Sequence, residues 1–142
     1  MTHIKKILLI SLAIITVTPT LSWAKENQIT FKDVMQDLLT DTQQITKGII
    51  LEDFQLIEQA ANKIANHPKP DLAIRMKVVK TLGNEMGKFK AKDTVVHNSA
   101  VNILSAAKAN DMNTITKEYQ QLVNGCLACH AGFKEKVAKA LK

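Results

Sequence analysis

From Met112 to Val137 the side chains Met112, Ile115, Tyr119, Leu122, Cys126, Cys129, Phe133 and Val137 recur at intervals of three and four. That spacing follows the helical repeat of about 3.6 residues, so one helix of roughly seven turns carries a continuous apolar stripe. A stripe of that length must be covered, and the rest of the chain supplies further helices. Phe31, Val34, Met35, Leu38, Leu39, Ile45 and Ile49 approximate the same period, with Thr30 and Asp33 spaced as a capping box and Gly48 loosening the helix end. A second helix from about Glu52 to Ala65 buries Phe54, Ile57, Ala60, Ala61 and Ile64, and stops at Asn66-His67-Pro68-Lys69-Pro70 because proline cannot continue it. Asp71 to Lys92 reads as a long, partly helical connection interrupted by Gly83 and Gly87. Asp93 is expected as N-cap of a third main helix running to about Ala109, and Asn110-Asp111 breaks it before the long last one. No segment alternates as a strand does. The fold class expected is all-α, an antiparallel four-helix bundle in one domain.

The last helix also holds Cys126-Leu127-Ala128-Cys129-His130, with the only two cysteines in the chain. C-x-x-C-H is the c-type haem attachment signature, and the spacing has a physical reason. Two thiols must reach two substituents on one porphyrin edge while an imidazole reaches the iron, and residues three and four apart share one helix face. A dithiol redox pair, a disulfide and a zinc site are the competing readings. The first two leave His130 without a role, and the third lacks a fourth ligand nearby. The expectation is one covalently bound haem c on the C-terminal helix, held by Cys126 and Cys129 with His130 on the iron.

The N-terminus agrees with that chemistry. His3, Lys5 and Lys6 precede an apolar run from Ile7 to Val17, and Ser22-Trp23-Ala24 closes it with small residues at its first and third positions, the pattern of a cleaved secretory signal. The run falls short of the about 20 apolar residues a membrane span needs. Cleavage after Ala24 leaves one cytochrome domain, 25–142, exported to the periplasm and not embedded in a membrane. It also takes Lys5 and Lys6 away, so the 19 basic residues become 17 against 13 acidic ones, a formal +4. The lysines gather in two stretches, Lys77 to Lys92 and Lys134 to Lys142, either a solvated face or a docking surface for an acidic redox partner. With few aromatics among those charges, nucleic-acid binding is not expected.

The residues Gly125-Cys126-Leu127-Ala128-Cys129-His130 with Phe133-Lys134, the segment Phe31 to Leu39 and the segment Phe89 to Ala100 together resemble the cytochrome c-prime family, single-haem four-helix bundles with the motif near the C-terminus. The resemblance implies that a residue of the first helix sits over the open face of the haem. By register that residue is Met35, and it implies a methionine ligand as in low-spin members of the family. A His130/Met35 pair fits an electron carrier, since iron with both axial positions filled changes oxidation state without exchanging ligands. The alternative is a five-coordinate protein that binds nitric oxide or carbon monoxide, with Met35 crowding the open site or serving as ordinary core. Some relatives also pair as homodimers through their first two helices.

Around this core set, Phe133 is expected to cover the porphyrin edge or simply to pack, and Lys134 and the single arginine, Arg75, are candidates for propionate contacts or for solvent. His97 could ligate iron, bond a propionate or be an ordinary histidine, whereas His67, before Pro68 in a turn, reads as solvated. An enzyme would need distal acid-base groups. His97 has no second partner for such work, so no enzymatic activity is expected.

Overall fold

The computed structural model describes residues 28–142; the secretory leader expected over 1–24 lies outside them. The described residues are helical nearly throughout and contain no strand. In chain order the helices among them are α1 Phe31–Leu51, α2 Phe54–Ala65, α3 Leu72–Leu82, α4 Met86–Lys108 and α5 Met112–Ala140, with a 3₁₀ turn Gly83–Glu85 leading into α4. The architecture is an all-α bundle in which α1, α2, α4 and α5 are the packed members. None of these helices is long and apolar enough to cross a membrane.

Local chemistry sets most of the boundaries. The Thr30–Asp33 capping box forms as the sequence suggests: Thr30 Oγ1 accepts from the Asp33 amide at 3.1 Å, while Asp33 Oδ2 accepts from the Thr30 amide at 2.9 Å. These bonds hold the Asp33 carboxyl below its usual range. Glu52 takes a left-handed conformation (φ 52°) that ends α1, and Asp53 then caps α2 by accepting from the Leu56 amide, so α2 starts later than its expected first residue, Glu52. Asp111 caps α5 in the same way, accepting from Thr114, after Asn110 turns the chain at φ 55°.

Three expectations need correction. Asp93 is not an N-cap: α4 starts seven residues earlier, at Met86, and runs through Gly87 and Asp93 without a break. Gly83, at φ +47°, ends α3; Gly87 has open space around it and is carried as an ordinary helical residue. The segment from Asp71 is therefore a true helix followed by the first two turns of α4 rather than a loose connection. Gly48 likewise does not loosen α1. It is buried, and a Cβ there would come within 2.5 Å of Ile57 Cγ1, so the missing side chain is what lets α1 and α2 meet.

The interior has two parts. The larger joins Ile45, Ile57, Ile64, Ala100, Ile103, Ile115 and Leu122 from α1, α2, α4 and α5. Among the described residues Asp41 is the one charged side chain buried beside it, with Lys63 Nζ 3.8 Å away. Burial pushes the Asp41 carboxyl above its usual range, and Lys63 offsets part of that. The smaller cluster joins Val78 and Leu82 of α3 to Phe133 of α5, with Phe31, Met86, Phe89 and Val137 against it.

Candidate functional site

A length mismatch between neighbouring helices creates the site. By the rise of about 1.5 Å per residue, α1 is about 32 Å long and α2 about 18 Å. The Asn66–Pro70 segment stops α2 early, so the first turns of α1 pass beyond the end of their partner. There the chain turns toward α3, tied down where the Asp71 amide donates to the Ile29 carbonyl at 3.0 Å. What remains between α1, the end of α2, α4 and α5 is an apolar groove, with about 890 Å³ of empty space including its open mouth.

The groove collects most of the residues singled out from the sequence. Cys126, Cys129 and His130 line it from α5, and Met35 lines it from α1 together with Leu38 and Leu39. Of Met35, Met76, Met86 and Met112, only Met35 is there; Met86 packs on the smaller cluster, Met112 on the larger, and Met76 is exposed. His97 and Asp93 line it from α4. Met35 is 41% exposed, which places it at the accessible rim of the groove.

Both cysteines are half-buried free thiols. Burial pushes both upward from the usual thiol range; for Cys129 the Asp93 carboxylate and the neighbouring Cys126 add to the rise, and Lys92 opposes it. Cys126 packs against the larger cluster and Cys129 against the smaller, so the motif sits at the seam between the two. Among the described residues no three His, Cys, Asp or Glu side chains converge to hold a metal ion, so Cys126, Cys129 and His130 are not gathered around a common point.

Phe133 has other company. It is buried in the smaller cluster, with its ring edge-to-face on Phe89 at 5.5 Å, and it is not among the groove-lining residues. Lys136 Nζ lies 5.7 Å from its ring centre and also reaches Glu85 at 2.6 Å, closing the far side. Gly125 makes room for α4: a Cβ there would lie 2.9 Å from Val96 Cγ2. Arg75 and Lys134 are exposed, on α3 and α5.

One groove residue escaped the sequence reading. His67, expected as a solvated turn residue, lines the groove beside Ile64. The signal was present, for the buried stripe Ile57, Ala60, Ile64 reaches His67 at the next interval of three, just past the end of α2.

No protein-family model, curated protein or solved structure matches the chain.

Proposed function

We propose that this chain is a monohaem c-type cytochrome of the cytochrome c-prime kind, exported to the periplasm, that carries single electrons between partner proteins. The observation that carries the reading is that one apolar groove is lined by both thiols and the imidazole of the C-x-x-C-H motif from α5 and by a single thioether, Met35, from α1. The residues fit a haem: the groove is apolar and open at one side, the thiols are free, and both thiols and the imidazole line it without forming a closed metal cage. Cys126 and Cys129 would hold the ring by thioether bonds, His130 would be the proximal ligand and Met35 the distal one. A bound haem supplies the one-electron chemistry of its iron. The chain's part would be to exclude water with Leu38, Leu39, Val96 and Val123 and to present His130 from α5 and Met35 from α1 to the same groove. Exposed lysines, Lys92 on α4 near Cys129 and Lys134 just after the motif on α5, suit an acidic redox partner.

Mass spectrometry of the exported protein, matured in a host with haem-attachment machinery, tests this directly. One haem mass bound through Cys126 and Cys129, with a low-spin ferric spectrum and a ligated methionine methyl in the ferrous NMR spectrum, is expected. Absence of added haem mass overturns the reading. The exposure of Met35 favours one second reading, a five-coordinate protein that binds nitric oxide or carbon monoxide at an open iron face; a high-spin ferric state at neutral pH would select it.

A further inference from the structure

We propose that His67 is a second protein ligand for the haem iron, occupying the position of Met35 when that thioether leaves it; this rests on the haem reading above.

Three observations carry it. His67 lines the same groove as Cys126, Cys129, His130 and Met35. Its Nδ1 lies 2.9 Å from the Pro68 carbonyl oxygen. A carbonyl can only accept, so Nδ1 carries the proton, and in the neutral ring the lone pair is on Nε2. Histidine ligands in metal sites are oriented in this way, one ring nitrogen donating to a backbone carbonyl while the other binds the metal. The third observation is anchorage. Pro68 restricts the backbone of His67, Pro70 is buried, Asn66 Nδ2 donates to the Asn62 carbonyl at 3.0 Å, and the Asp71 amide ties the far end to Ile29. An imidazole on a segment fixed at both ends loses little further freedom on binding.

Met35 is the ligand that can be displaced. It is 41% exposed at the rim, and its soft thioether suits ferrous iron better than ferric, for which an imidazole nitrogen is the better donor. Met35 and His67 both come from the α1–α2 hairpin, whereas His130 comes from α5. The two can therefore alternate without moving the proximal side. Oxidation would favour His67 and reduction would favour Met35, making the iron's ligand set depend on its own oxidation state.

The test uses the full-length haem-loaded protein and four variants, Met35→Ala, His67→Gln, Met35→Ala/His67→Gln and Met35→Ala/His97→Gln, each checked for helical content by circular dichroism and read by ferric EPR. Met35→Ala is expected to stay low-spin with the signature of two imidazoles, and Met35→Ala/His67→Gln to turn high-spin and return to low-spin on adding free imidazole. Met35→Ala/His97→Gln should behave as Met35→Ala does. The proposal is overturned by a high-spin Met35→Ala protein, by a high-spin unsubstituted protein, or by a low-spin state that survives the loss of His67 and disappears with His97. In each of those results the haem is still bound: a high-spin Met35→Ala protein or a dependence on His97 leaves the proposed function standing, a high-spin unsubstituted protein selects the five-coordinate gas-binding reading in its place, and loss of the haem mass itself would remove all of them.

Discussion

The two ends of α1 have the same kind of sequence and opposite surroundings. Toward the C-terminus, Ile45 and Gly48 are buried against α2, closely enough that Gly48 has no room for a Cβ. Toward the N-terminus, Met35 and Leu39 sit on the same amphipathic pattern but remain exposed, because α2 has already ended. Amphipathicity alone thus does not decide whether a stripe becomes core or cavity wall. The length of the neighbouring helix does, and here it is set by a proline pair. The closed half supplies the stability, while the open half supplies the groove.

Substitutions in the two interiors should differ accordingly. Ile103, wholly buried in the larger cluster, has neighbours on four helices that cannot all relax, and Ile103→Ala is expected to cost about 2–5 kcal/mol in a denaturant titration, toward the upper end. Leu82→Ala, in the smaller cluster with half-buried neighbours able to close in, is expected toward the lower end of the same range. Equal costs would mean that the smaller cluster is as rigid as the main core. Gly48→Ala comes next: overpacking against Ile57 is worth about 1–3 kcal/mol, and the better helix propensity of alanine returns up to about 1 kcal/mol. A stabilised Gly48→Ala protein would show that the α1–α2 contact is looser than the described geometry.

How much of this could be read in advance follows the same division. The helical periods, the Thr30–Asp33 capping box, the break at Asn110-Asp111 and the stop at Asn66–Pro70 were legible, because each depends on residues within a few positions of one another. The start of α4 was not. Gly83 and Gly87 look alike in sequence, and only the positive φ of Gly83 separates a helix end from a tolerated interior glycine. The same holds for Gly48 and Gly125, whose reason lies in Ile57 and Val96 on other helices. At the groove, the α5 residues follow from their own spacing and Met35 from the family register. His67 depends on how far α1 outruns α2, a relation between elements that no local window contains. Phe133 shows the converse: its place one turn past His130 suggested contact with a ring, but α3 and α4 bring Leu82 and Phe89 to it first.

A smaller effect probes how the closed half is joined across the bundle. Thr46 Oγ1 and Tyr119 OH lie 2.6 Å apart, linking α1 to α5 although these two helices otherwise touch little. Tyr119→Phe should cost about 1 kcal/mol, the usual worth of one hydrogen bond, read as a shift in the denaturation midpoint with unchanged slope. A cost near zero would mean that α1 is held by α2 alone.

The smallest expected effect lies at the boundary between the halves, where the last turn of α2 covers Asp41. Burial raises this carboxyl above its unfolded value, so the folded chain binds the proton more readily than the unfolded one. The contribution of Asp41 is therefore most favourable below the unfolded value near 3.8 and is lost as the pH rises through the folded one. An asparagine in its place would keep the size and polarity without the charge. Asp41→Asn should accordingly raise the melting temperature slightly at pH 7 and leave it almost unchanged at pH 3, where Asp41 is already neutral in both states. A variant less stable at pH 7 would show that attraction to Lys63 outweighs the cost of burying the charge, and that the α1–α2 contact is held by an ion pair rather than merely tolerating one.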